Sequence, residues 1–317
     1  MSKEILVIGA GAVGAVYGRH LSLGEGRVTF LVRPKYKEKY ENGIAMLLYN
    51  QKRKGIQKFT DFSLISTDKE VAAKSWSQVY ITISSTALRT DAFKKTLAAV
   101  QKDAILVLLQ AGLADFDYIS QYYPPEKIVE GMISLVSYQA PLEGENLDPC
   151  IAYWFPPMSP SLFSGPAALV DEVLPLFKAG NMPVSRAESI RINAGFATSY
   201  FTPFLAALEA SDWNFAKLKS SGLLSEVDEA ASQAMAITEK KLGTRRPVSL
   251  SLLKSPVIRL ALTFHKFVVP FDLEVYFKYH FLKVKDQTLA YLMGYLDMGK
   301  EYGLETSAIR KLYEKIT

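Results

Sequence analysis

Glu4-Ile5-Leu6-Val7-Ile8-Gly9-Ala10-Gly11-Ala12-Val13-Gly14-Ala15-Val16-Tyr17-Gly18 is the stretch that decides the fold. An apolar run ends in G-x-G-x-x-G, and a helical pattern begins at once, which predicts a strand, a tight turn and a helix. Gly9 permits the turn. Gly11 lets backbone approach a pyrophosphate, and Gly14 lets the helix pack against the strand. The helix N-terminus then faces the phosphates with its unpaired amides. Gly9, Ala10, Gly11, Ala12, Val13 and Gly14 are therefore the first candidates for holding a dinucleotide. A glycine-rich turn in some other βαβ unit is the alternative; the apolar strand before the motif and the helix after it argue for the dinucleotide.

Strand and helix signals alternate from there. Strands are expected at 4–9, 27–32, 79–83, 104–109 and 128–137, with helices at 12–23 and 91–100. Residues 44–59 read as a hairpin insertion whose turn carries Lys52-Arg53-Lys54-Gly55. This alternation specifies an α/β doubly wound sheet. Residues 148–166 are rich in proline and aromatics and read as short strands and turns. Beyond 188 the strand signals fade into helical windows at roughly 188–210, 223–242, 248–264, 271–298 and 305–316. The expected organisation is a Rossmann domain over 1–186 and an all-α domain over 187–317.

Bulk composition agrees with two domains. The chain has 317 residues, 49% of them hydrophobic, enough for two cores. Cys150 is the single cysteine, so no intrachain disulfide can form and a reducing compartment is expected. The opening Met1-Ser2-Lys3-Glu4 lacks the pattern of a secretory signal. The longest uncharged helical stretch, 192–208, carries Asn193, Thr198, Ser199, Thr202 and Pro203 and is short for a bilayer span. A cytoplasmic protein with no membrane partner is expected. The net charge of +5 is dispersed and mild, which argues against nucleic acid.

The second strand ends in Leu31-Val32-Arg33-Pro34-Lys35. NAD sites usually carry an acid here for the ribose hydroxyls. Arg33 and Lys35 instead offer cations for a 2′-phosphate, so NADP(H) is the expected cofactor. The alternative is that Arg33 merely opens a solvated helix.

A Rossmann domain, an Arg after its second strand, a hairpin insertion and an all-helical second half together resemble the ketopantoate reductase family. The resemblance implies an NADP-binding domain joined to a helical domain, a cleft between them, and reduction of a 2-oxo acid to a 2-hydroxy acid. It also implies cofactor contacts from Ser84 and Ser85 in Ile83-Ser84-Ser85-Thr86, and from Gln110 and Ala111 in Leu109-Gln110-Ala111-Gly112. The family's polar residues are missing. The loop Asn is Ala111, and the Lys after the fourth strand is replaced by the serines. The catalytic Lys on the first long helix of the second domain falls on Ala194 or Ala197, according to the register. The substrate-binding Glu falls near Thr288. No Lys occurs between Lys178 and Lys217, and no Glu between Glu274 and Glu301.

Hydride addition to a ketone builds charge on its oxygen, and a positioned Lys both stabilises that charge and delivers a proton. Losing one such donor costs on the order of 3 kcal/mol. A replacement set is available on a late helix, where His280, Lys283 and Gln287 follow at i, i+3 and i+7. His280 is the candidate proton donor, Lys283 the candidate for a carboxylate and Gln287 a hydrogen-bonding anchor; a solvated helix face is the alternative. His20 is expected to be structural and His265 to pack at a helix end. Arg245 and Arg246 are expected in an exposed interhelical loop. No metal site is expected. Aromatics crowd the helical half as core or as a homodimer interface. Two functions stay open: an NADP(H)-dependent oxidoreductase with a non-family catalytic set, and a catalytically silent NADP(H)-binding protein.

Overall fold

The computed structural model describes residues 2–51, 55–251 and 254–317. The expected basic turn at Lys52–Lys54 and part of the window 248–264 lie outside the described residues. The chain divides into two compact units, Met1–Ile190 and Arg191–Thr317.

Among the described residues of the first unit, twelve strands form two sheets. They are β1 (Glu4–Ile8), β2 (Arg27–Leu31), β3 (Ile44–Leu48), β4 (Gln57–Phe59), β5 (Ser63–Ile65), β6 (Gln78–Ile81), β7 (Ile105–Leu108), β8 (Ile128–Met132), β9 (Val136–Ala140), β10 (Cys150–Trp154), β11 (Ser161–Ser164) and β12 (Val184–Arg186). The main sheet runs β12-β11-β8-β7-β6-β1-β2-β5. All its neighbours are parallel except β11 on β8. Chain order reverses at β1, which pairs with β2 on one side and β6 on the other. That switch point opens a crevice at the carboxyl ends of the strands.

Helices α1 (Ala12–Leu23), α2 (Lys37–Glu41), α3 (Asp68–Ala72), α4 (Asp91–Ala99), α5 (Asp115–Ile119) and α6 (Ala167–Ala179) complete this unit. The period of two along β1 sends Ile5 and Val7 into one core layer and Leu6 and Ile8 into the other. Phe177 of α6 makes edge contacts with Tyr17 and Tyr80 and stacks on Phe163. A Cβ at Gly18 of α1 would collide with the Phe30 ring of β2, so this glycine sets the helix-to-sheet distance.

The hairpin is present, with Ile44 opposite Phe59. Its strand β3 also takes β10 in parallel, which builds a second sheet in the order β4-β3-β10-β9. The segment read as one extended run over 128–137 is two strands in different sheets. The three-residue strands β5 and β12, and helix α6, are elements that the sequence pattern did not assign. Three residues carry too little alternation to register, and α6 contains Pro175.

The second unit is helical. It comprises α7 (Ile190–Glu209, whose first residue belongs to the first unit), α8 (Phe215–Ser220), α9 (Leu223–Leu242), α10 (Val248–Ser251), α11 (Ser255–Phe264), α12 (Leu273–Lys283), α13 (Lys285–Tyr302) and α14 (Ser307–Ile316). Buried alanines 230, 231 and 234 let α9 lie close to α13 and α14. The Ser199 hydroxyl lies 2.7 Å from the Thr238 hydroxyl and 3.2 Å from that of Tyr295, joining α7, α9 and α13 through buried oxygens. The stretch 192–208 is inside α7, and no described helix is long and apolar enough to cross a membrane.

Two glycine-to-alanine changes should act in opposite directions. Gly18→Ala should destabilise by about 1–3 kcal/mol through overpacking on Phe30. Gly294→Ala in α13, where a Cβ meets nothing within 4 Å, should stabilise by roughly 0.5–1 kcal/mol. Urea unfolding of both variants checks the pair.

Candidate functional site

The glycine loop connects β1 to α1. Gly9 has φ +103°, a conformation L side chains rarely adopt. A Cβ at Gly14 would collide with the Gly9 carbonyl and approach the Thr82 Oγ1 to 2.6 Å. Gly14 therefore serves the turn itself, while Gly18 serves the packing of helix on sheet. At Gly11 a Cβ would meet nothing within 4 Å; the space over it is open. The first bond of α1 runs from the Ala15 N–H to the Gly11 carbonyl, 2.9 Å. The preceding amides, Ala12, Val13 and Gly14, have no partner within the helix and suit an anion.

Residues from neighbouring strands fix this loop. The Thr82 hydroxyl lies 2.9 Å from both the Ile8 and the Gly9 carbonyl oxygens. Gln110 is committed to backbone: its Nε2 donates to the carbonyls of Ile81 at 3.1 Å and Ile83 at 2.6 Å, and its Oε1 accepts the Leu109 N–H. Its side chain thus braces the ends of β6 and β7. Ala111 follows it, half-buried.

The loops after β6 and β7 are tied by a buried carboxylate. Asp115, 1% exposed, accepts from the Ser85 hydroxyl at 2.6 Å, from the Gly112 N–H at 3.0 Å and from Arg89 Nη1 at 2.8 Å. Arg89 Nη1 also reaches the Ser85 carbonyl, and its guanidinium lies over the Tyr118 ring. Ser85 is thereby a bracing residue. Ser84 is partly exposed, with its hydroxyl 3.0 Å from that of Thr86. Thr82, Arg89 and Asp115 are members that sequence reasoning missed. The sole signal was an acid opening a short helix three residues beyond Gly112, which is a common capping pattern.

Arg33 and Lys35 are exposed at the end of β2, beside Tyr36. Neither pairs with a carboxylate among the described residues. Arg33 precedes a 3-10 turn (Pro34–Tyr36) that runs directly into the short, largely exposed helix α2, so it does open a solvated helical stretch.

The late-helix constellation does not survive as one face. The window 271–298 breaks at Val284, whose φ/ψ of −117°/28° is non-helical. His280 and Lys283 end α12, while Gln287 lies in the first turn of α13. The His280 ring stacks on Tyr276 and meets Phe281 edge-on. Burial, with a smaller contribution from Lys283, pulls its pKa down to about 4. Such an imidazole is uncharged at neutral pH and holds no excess proton to deliver. Lys283 is exposed.

The structure also places the remaining histidines and the residues at the family's positions. His20 is structural: its Nδ1 lies 2.6 Å from the Gly180 carbonyl, and burial holds it at about 4. His265 packs at the end of α11 against Phe215. Arg245 and Arg246 lie in the loop between α9 and α10, Arg245 exposed and Arg246 half-buried. Arg246 pairs in bidentate fashion with Glu239, at 2.9 and 3.0 Å. Ala194 is buried and Ala197 partly buried in α7, and Thr288 is buried in α13. No group of acids, histidines and cysteines fit for a metal exists among the described residues.

A mainly parallel sheet with its switch point beside a glycine turn, joined in sequence to a helical unit, is the architecture of a doubly wound, Rossmann-type α/β fold with a helical second half. Residues 5–143 match the family model for ketopantoate reductase PanE/ApbA, and this stretch carries that family's domain. No curated protein matches the chain. Among solved structures, a PanE/ApbA family ketopantoate reductase from Ralstonia eutropha JMP134 is 15% identical with a TM-score of 0.77, covering 99% of this chain and 97% of that one. D-mandelate dehydrogenase, solved with NADH and anilino(oxo)acetate, is 12% identical with a TM-score of 0.75, covering 99% and 96%. A 2-dehydropantoate 2-reductase from Geobacter metallireducens GS-15 is 14% identical with a TM-score of 0.70, covering 99% and 98%. At these identities the likeness is one of fold.

Two stability outcomes follow from the buried groups. Asp115→Ala should cost about 3 kcal/mol, and a double-mutant cycle with Arg89→Met should give a coupling above about 0.5 kcal/mol. The histidines set a pH window. Their folded pKa lies below the unfolded value of about 6.5, so stability is full above that value and falls as pH drops toward 4. The loss is on the order of 1–3 kcal/mol for buried His20, and less for partly exposed His280. Unfolding titrations between those pH limits, with His280→Phe as a control lacking its share, measure it.

Proposed function

We propose that the chain is an NADP(H)-dependent oxidoreductase of the ketopantoate reductase-like group, reducing a 2-oxo acid or another carbonyl. The glycine loop carries this reading. Gly9 and Gly14 are locked by positive φ and by backbone contact, while Gly11 faces open space. A side chain there would fill the approach that a pyrophosphate needs. The cofactor site in this reading runs over Gly9–Gly14, with Arg33 and Lys35 for a 2′-phosphate. Ser84 and Ala111 border it, and Ser85 and Gln110 hold its walls. A bound nicotinamide supplies the hydride. The likeness in fold to a dehydrogenase solved with NADH and an oxo-acid derivative supports the reaction class. The reading includes a cytoplasmic location and a homodimer, the latter supported by exposed apolar side chains such as Phe201 and Met293 in the helical unit.

The second reading, a silent NADP(H)-binding protein, is favoured by one specific set of positions. Ala111, Ala194 or Ala197, and Thr288 stand where the family resemblance puts Asn, Lys and Glu, and His280 is uncharged at neutral pH.

NADPH should bind more tightly than NADH. Arg33→Ala should weaken NADPH by roughly 1.5–3 kcal/mol and leave NADH almost unchanged. Calorimetric titration decides this, and equal affinities in the unmodified protein would remove the NADP(H) assignment.

Ketopantoate should be turned over far below an ordinary enzyme rate of about 10 s⁻¹, as followed by NADPH absorbance. A carbonyl panel then separates the two readings: tight NADPH binding with no substrate favours the silent binder. For any substrate found, the rate should not fall with a pKa near 6.5, because His280 is already deprotonated there.

A further inference from the structure

Between Glu239 and Asp272 the sequence holds seven Lys and Arg residues and no acid. The whole chain carries only +5, so this one stretch exceeds the protein's entire net charge. Helix α11 and the turn after it lie inside the run. They also carry a run of exposed large apolar side chains, among them Phe267, the most exposed of those described in the helical unit. Val257, Leu260 and Phe264 follow at i, i+3 and i+7, one face of a helix. Leu260 is 60% exposed, Phe267 86% and Val268 62%. On the opposite side Leu262 is buried, so α11 is anchored by one apolar side and presents a second to solvent.

Exposed cations stand at both ends of the helix and on its flank. Lys254, Arg259 and Lys266 are exposed, and Lys219 reaches the Thr263 hydroxyl at 3.2 Å. Arg259 donates to the Lys219 carbonyl. None of these four pairs with a carboxylate among the described residues. Acids on the neighbouring elements are engaged elsewhere. Asp228 accepts from the Ser255 N–H and hydroxyl, Asp272 caps α12, and Glu274 accepts the Phe215 N–H.

We infer that the α11 face docks on an anionic lipid surface, with Leu260, Phe264, Phe267 and Val268 entering the interface and Lys254, Arg259 and Lys266 meeting the headgroups. An apolar helix face flanked by cations is the pattern of an interfacial helix. Charge complementarity selects this occupant. A second copy would bring the same cations against themselves, so a homodimer has to use another face. A nucleic acid would leave the aliphatic side chains without a partner. The expectation of no membrane partner rested on the lack of a spanning segment, which does not bear on a contact made from one side.

The test is co-sedimentation of the full chain with vesicles of phosphatidylcholine alone and with added phosphatidylglycerol. The chain should bind the acidic vesicles, bind the neutral ones weakly, and be released as salt is raised. Phe267→Ser and Lys266→Glu are both at exposed positions and should fold normally. Each should weaken binding by more than about tenfold. Undiminished binding by the double variant would overturn the inference, as would equal binding to both vesicle types. It would also be overturned by a dimer, seen by light scattering, that Phe267→Ser converts to monomer, or by binding to heparin or DNA without binding to acidic vesicles.

Discussion

The first unit depends on the close approach of backbone to backbone where β1 turns into α1. Gly14 sits against the Gly9 carbonyl with no space for a Cβ, and Thr82 from the adjacent strand donates to that same turn. The start of α1 is thus fixed on the carboxyl end of β1, at the point where strand order reverses. Everything placed around it, from the open space over Gly11 to the bracing by Gln110 and Asp115, takes its position from that contact. Overpacking here would move the helix, and with it the amides that face an anion.

Much of this was legible in the sequence because local rules and global fold agree there. Parallel strands buried on both faces read as continuous apolar runs, and β1, β6 and β7 do so. The glycine spacing is a backbone requirement written in residue type. The hairpin showed through its alternation, although its partnership with β10 did not, since that pairing joins residues about a hundred apart. The Asp115 network was equally hidden: Ser85, Arg89 and Asp115 come together only because β6 and β7 are neighbours. On the late helix the reading failed for a local reason. An amphipathic count assumes unbroken rotation, and the residues around Val284 give no glycine or proline to mark the break.

Electrostatics divides the chain in a way that its mean charge conceals. The cations of Arg33 and Lys35 pair with no carboxylate among the described residues, whereas Arg246 is consumed by Glu239 and Arg89 by Asp115. Cationic side chains are available to outside partners only where no carboxylate has claimed them. The same holds for histidine. Three occur in the sequence, and His20 and His280 are held neutral by burial rather than poised for exchange.

The break at Val284 has a geometric consequence. On one continuous helix, a residue's bearing is locked to that of every other, so tilting or rotating the rod swings them all together. Separating α12 from α13 removes that phase lock. The aromatic cluster of Tyr276, His280 and Phe281 is not tied in phase to the α13 face that carries Thr288 and Tyr295.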